Sequence, residues 1–348
     1  MTSERYQALC DYLQRYYDVR PYQRHGVMHP VVHHSPSPEQ VSDIDSVLGH
    51  LNPQAINTGE LAFYDYGYLH TLENSGRHLF NGVTYAFQRL RTHPLRVDAR
   101  PGHYFDMIAT CIALEHELMD AFDGKLVRLP LRTQYHRTHN PQTALQSGKG
   151  RSGAIGGVML TVFNRGDQYQ AIVSRRTANH ATRPHALHLL PAFIFQPQDI
   201  EHVQQEWTFK YHLYREYLEE LVGMAEGTAH MTAHPALRDL QAMEADGRAL
   251  MHLTGVSMNL LTLRLEISAV LVIHDADWWQ AMQSGKRGYQ LNTPETDSAL
   301  LYVPVSEDDD ALLRQLPHDY YLNMVPQAIP AFWEGITHAR LLIADYRA

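Results

Sequence analysis

Glu216, Glu219 and Glu220 stand at positions i, i+3 and i+4 of the run REYLEELVG. On a helix this spacing clusters their carboxylates on one face. Adjacent carboxylates repel one another unless they are solvated, paired with cations or bound to a hard divalent ion. Oxygen-only ligation of that kind suits Mg2+ or Mn2+, ions that usually act on phosphates. Arg215 is placed to pair with Glu219 one turn on. The same stretch carries Trp207, Tyr211, Tyr214, Leu218 and Leu221 at steps of four, three, four and three. That periodicity predicts one helix over roughly 200–222, with an apolar stripe against a core and the carboxylates on another face. Taken alone, the glutamates could equally be a solvated acidic stripe.

Other residues could serve the same chemistry. Arg175 and Arg176 end an apolar run, and guanidinium forks match phosphate oxygens; surface ion pairs are the plainer reading. Glu266 interrupts an apolar strand and is the best later carboxylate by position, with Asp275 and Asp277 behind it. His180, His185 and His188 lie in the segment between, but with 23 histidines scattered along the chain coincidence explains any one of them. Trp278 and Trp279 could stack on a base or seal a core edge, and sealing is the favoured role. His116-Glu117 with Asp120 is an imperfect metal pattern, better read as the wet face of an amphipathic helix. Gly148-Lys-Gly-Arg-Ser-Gly153 lacks P-loop spacing and reads as a connector.

Elements must position these groups. Helical spacing is seen at 5–19, from Ser37 over 38–51, at 59–94 with a break at Ser75–Gly76, and at 103–122. Residues 134–153 are polar, basic and Gly-rich. Strand patterns then take over: a hairpin of 158–163 with 169–174, an extended run at 185–195, and strands at 259–273 and 298–305. A helix at 329–346 closes the chain. The expected fold class is α+β, with a mainly helical domain at 1–150 that includes the basic connector, and a second domain at 151–348.

Bulk properties narrow the functions. The chain has 348 residues, enough for two domains, and 29 Lys and Arg against 38 Asp and Glu leave a formal charge of −9. That excess argues against a general nucleic-acid binder. Two cysteines, Cys10 and Cys111, exclude a disulfide framework. The polar N-terminus is no signal peptide and no apolar run is long enough to span a bilayer, so the expected place is the cytoplasm, without membrane contact.

The run Arg215-Glu216-x-x-Glu219-Glu220, followed closely by Gly223, resembles the second half of the Nudix box. The flanks agree in order: AIVSRR (171–176), a loop, HLLPAFIFQPQ (188–198), then the acidic helix. The resemblance covers roughly 150–348 and implies a Nudix-like α/β/α sandwich in the C-terminal half. It implies Glu216, Glu219 and Glu220 as metal ligands and catalytic groups, Glu266 as a further ligand, and Mg2+ or Mn2+ as cofactor. Arg175, Arg176, His188 and Phe193 would meet the substrate, a nucleoside-diphosphate-linked or related phosphorylated small molecule. The extra helical domain would shape substrate choice or build a homodimer. The run departs from the family pattern in four places: Glu201 stands where the box opens with Gly, Trp207 where it has its first Glu, with Glu206 one residue away, Ala192 stands where Gly follows the Pro, and the closing Gly223 comes one residue late. A hydrolase, and a catalytically silent Nudix fold that binds a nucleotide-like ligand or a partner protein, are therefore both open.

Overall fold

The computed structural model describes residues 1–54, 61–75, 79–166, 168–176, 183, 185–225, 231–292 and 300–348. The chain is α+β. Eight strands form one mixed sheet, in the order Leu300–Pro304, Tyr169–Arg175, Gly156–Asn164, Leu265–Ile273, Ala249–Asn259, Val31–His34. Gly156–Asn164 and Leu265–Ile273 run parallel, with Glu266 opposite Gly156 and Ile273 opposite Phe163; the other pairs are antiparallel. The hairpin partners Gly156–Asn164 and Tyr169–Arg175 separate toward one end. There Ala192–Ile194 pairs with the first and Leu187–Leu189 with the second.

Strand alternation sorts the two faces. Val158, Leu160, Val162, Val270 and Val272 pack under the C-terminal helix Ala328–Arg347, with Ile329, Phe332, Trp333 and Ile336. Gly335 permits the close contact, since a Cβ there would lie 2.7 Å from Leu160 Cδ2. Met159, Phe163, Ile267, Ala269 and Leu271 face the other way and cover Phe209, Leu213, Tyr217 and Leu218 of the acidic helix, together with Trp278 and Trp279. Every residue of Leu265–Ile273 is buried, the signature of a strand covered on both faces.

The N-terminal region departs from the mainly helical expectation. Helices Ser3–Tyr17 and Tyr66–Glu73 are present, and 104–122 is helical with a π-turn over Ile108–Ile112. Residues 83–103, however, form a long antiparallel hairpin, Val83–Thr92 with Leu95–His103. Thr84, Tyr85, Ala86 and Phe87 are buried in succession, so Val83–Thr92 lacks the two-residue alternation that marks a strand. The helix after Ser37 stops at Val41. Val31–His34 crosses to pair with Ala249–Asn259 in the large sheet. The Gly-rich run at 148–153 is no loose connector either. Arg151 is 0% exposed and donates to the carbonyls of Leu263 (3.1 Å), Ser147 (2.8 Å) and Ala144 (2.8 Å). Arg132 does the same toward Leu260 and Leu261. Two buried guanidinia thus tie the N-terminal layer to the turn between Ala249–Asn259 and Leu265–Ile273. Among the described residues no helix is long and apolar enough to cross a membrane.

Candidate functional site

The acidic helix is shorter than its periodicity predicts. It runs from Phe209 to Glu216 and continues as a π-turn over Tyr217–Leu221. Thr208 is the N-cap, its side chain accepting from the Tyr211 N–H at 3.2 Å. Residues 200–208 lie outside it, and Trp207 is anchored instead through its Nε1, which donates to Gly49 O at 3.1 Å. Glu206 turns back to accept from Gln198 N (2.8 Å) and from the Tyr211 hydroxyl (2.9 Å). It fixes the loop before the helix.

Arg215 organises the next turn. Its Nη2 lies 2.8 Å from Glu216 Oε1, its Nε 4.0 Å from Glu219 Oε1, and its Nη1 donates to Gln196 O at 2.7 Å. Helix and preceding loop are thereby locked together. These residues wall a cleft of about 910 Å³, into which Phe193 and Ile194 project from the sheet and Phe80, Asn81 and Tyr104 from the N-terminal region. Phe80 is 83% exposed there. The Phe193 ring packs against Gly157, where a Cβ would come within 2.4 Å of it. The lining holds three carboxylates, Asp199, Glu216 and Glu219, and one guanidinium, Arg215, so it is formally acidic.

The remaining proposed site residues lie around this cleft rather than in its lining. Glu220 accepts from Ala192 N at 2.8 Å. Burial, then the neighbouring Glu216 charge, push its carboxyl up to about 8. Glu266 is 7% exposed and, among the described residues, its Oε1 has no hydrogen-bond donor. Burial raises it to about 7, against the lowering influence of Arg264 and Arg176. Alternation puts Glu266 on the side of Val270, across the sheet from the acidic helix. Gly156 leaves room for it, since a Cβ there would lie 2.8 Å from Glu266 Oε2. Arg176 follows strand Tyr169–Arg175, its N–H bonded to Ala186 O at 2.9 Å. Burial pulls its guanidinium down to about 10, opposed by Glu266 and Glu220. Arg175 is exposed at the strand's end. His188 is buried, with Nδ1 accepting from Leu189 N at 2.8 Å. His180 lies outside the described residues. Asp275 caps the helix Ala276–Ser284 and pairs with Arg248. Trp278 and Trp279 are buried, Trp279 stacked on Phe163.

Among the described residues, no three His, Cys, Asp or Glu side chains are grouped to hold one metal ion. Mg2+ needs no such cage, because it commonly binds one or two carboxylates and completes its shell with water and substrate phosphate. Glu216 and Glu219, two oxygen donors on the wall of one acidic cleft, fit that role; Glu220 and Glu266 as placed do not share it. The cleft residues Phe80, Asn81 and Tyr104 carried no signal in the sequence, being remote from the acidic helix by more than a hundred positions. Compared with protein-family models and with curated proteins, the chain finds no match in either.

Proposed function

We propose that the chain is a Nudix-like, divalent-metal-dependent hydrolase of a nucleoside-diphosphate-linked or related phosphorylated small molecule. The observation that carries this reading is the pair Glu216 and Glu219, held by Arg215 on the wall of a cleft of about 910 Å³. The order of elements supports it too: strands, acidic helix on one face, parallel central pair, and a closing helix on the opposite face. An acidic cleft repels a bare phosphate, so a phosphorylated ligand would enter with Mg2+ or Mn2+ as its partner. When bound, the ion would neutralise phosphate charge and acidify a water molecule. The protein's own residues supply the frame: Arg215 fixes the two carboxylates, Phe193 and Phe80 offer apolar surface, and Gln196 and Asn81 offer amides. The test is incubation with Mn2+ and a panel of nucleoside diphosphate derivatives. Turnover that falls at least a hundredfold in Glu216→Gln with Glu219→Gln supports the reading. Absent turnover, or turnover untouched by the double substitution, refutes it.

A second reading, a silent Nudix-like fold that binds such a ligand without consuming it, is favoured by one observation. Trp207 and Glu206, at and beside the position of the missing carboxylate, are both engaged in anchoring the loop before the helix. It predicts that the ligand with Mn2+ raises the melting temperature while no product forms on long incubation.

A further inference from the structure

The large sheet ends unevenly at one side. Strand Ala249–Asn259 pairs with Leu265–Ile273 along its length, but Val31–His34 reaches only Val256 to Asn259 on its other side. Beyond His34 the chain runs Ser35-Pro36-Ser37-Pro38, and proline has no N–H to carry a ladder on. The register shifts between Leu253 and Gly255, a bulge that bends the strand at the same point. Ala249 to Leu253 are therefore an edge. The His274 N–H donates to Arg248 O at 2.7 Å, so by antiparallel alternation Leu250 and His252 turn their backbone groups to Leu265–Ile273 and Ala249 and Met251 turn theirs outward. Among the described residues nothing bonds to those outward groups.

This edge lines a groove of about 310 Å³, together with Asp43, Asp45, Lys210 and Glu244. Lys210 is paired with Glu244 at 2.9 Å. Asp45 accepts from the N–H groups of Phe209 and Lys210 at the start of the acidic helix, and Asp43 is exposed. Neither aspartate has an ion-pair partner among the described residues. Three carboxylates against one ammonium leave the groove acidic. The sheet's opposite edge, Leu300–Pro304, is blunted by Pro304.

We propose that the groove docks an extended, basic segment of a partner protein, which adds to the sheet as a further strand beside Ala249 to His252. Ala249 and Met251 would exchange backbone hydrogen bonds with it, and its Lys or Arg side chains would meet Asp43 and Asp45. The lining stretch spans roughly 13 Å at about 3.3 Å per residue, enough to register a short segment. A second copy of the chain fits worse, because it would bring an equally acidic groove to the same edge. The groove shares no lining residue with the cleft of Glu216 and Glu219, so docking stands whether or not that cleft hydrolyses anything.

The test is fluorescence anisotropy with the full chain and a panel of fluorescein-labelled, end-capped pentapeptides that alternate Lys with Val, Ile or Thr. At least one should bind, and at least tenfold more tightly than its counterpart with Glu for Lys. Asp43→Lys should weaken it at least fivefold, and Met251→Pro, which removes an outward N–H, at least tenfold. Should Met251→Pro fail to fold, the unaltered chain gives the answer. Methyl groups on one alternate set of peptide amide nitrogens should abolish binding and on the other set should not, because only one edge of the added strand meets Ala249 and Met251. Binding by no peptide, or the same effect from both methylated sets, overturns the proposal. A dimer in sedimentation velocity that Met251→Pro abolishes would give the edge to a second copy and overturns it too.

Discussion

The carboxylate of Glu220 accepts a hydrogen bond of 2.8 Å from the backbone N–H of Ala192. The bond ties the end of the acidic helix to the short strand that lies along Gly156–Asn164. It also explains why one member of a three-glutamate cluster lies apart from the cleft that its neighbours line.

Glu220→Ala leaves the Ala192 N–H without its acceptor, and a lost bond of this kind costs about 1–3 kcal/mol. Glu220→Gln keeps a carbonyl acceptor and, like the protonated Glu220, places no charge beside Glu216. Urea denaturation should therefore place Glu220→Ala below Glu220→Gln in stability; the reverse order would show that the bond is not what holds the strand.

The same carboxyl has a pH signature. Burial and Glu216 hold Glu220 at about 8 when folded, against about 4.3 in an open chain. Between those values the folded state binds the extra proton, so this group's contribution to stability is greatest in acid and falls as pH rises toward 8. Glu220→Gln should flatten that part of the stability profile between pH 5 and 8. A profile that keeps its slope in Glu220→Gln would assign it to another group.

Histidines impose the opposite trend. His29 is 0% exposed, hydrogen-bonded to the Tyr6 hydroxyl at 3.0 Å, and burial, then His25, push it down to about 4. His274 meets the Tyr169 hydroxyl at 2.8 Å and burial pushes it to about 4 as well. Both are neutral when folded. Their contribution is full above the open-chain value near 6.5 and is lost as pH falls through 4. At pH 5 each should cost about 1–2 kcal/mol relative to pH 7. His29→Asn should lose less stability than the unaltered chain over that interval, measured by chemical denaturation at both pH values.

Arg151 and Arg132 make the N-terminal layer and the large sheet one structure. Arg151→Met would strand the carbonyls of Leu263, Ser147 and Ala144, at a cost of about 3 kcal/mol or more. Arg151→Lys cannot span three acceptors with one ammonium and should recover only part of it. Thermal melts should fall in the order unaltered, Lys, Met. Lys equal to Met would mean that the charge, and not the fork, is at work.

How much of this was legible in the sequence depends on the element. The hairpin 156–175 was readable because two apolar runs flank a turn, and the C-terminal helix because its period is long and unbroken. Val83–Thr92 was not, because the consecutive burial of Thr84 to Phe87 erases the alternation that distinguishes strand from helix. Trp207 fell into step with Tyr211 and Tyr214 by spacing alone, yet it belongs to the loop that Glu206 and Thr208 hold in place. The Glu216, Glu219 and Arg215 grouping followed from helical geometry. That Glu220 faces a strand, and that Glu266 lies across the sheet, depend on strand pairing between distant segments, which local spacing does not encode.

The most direct test of the account is a crystal structure of the protein grown with Mn2+ and a non-hydrolysable nucleoside diphosphate analogue, with the ion located by its anomalous signal. The account predicts one Mn2+ peak touching Glu216 and Glu219, bridged to the analogue's phosphates, with Arg215 still on Gln196 O. An analogue bound in the cleft with no Mn2+ peak at those two carboxylates would contradict it.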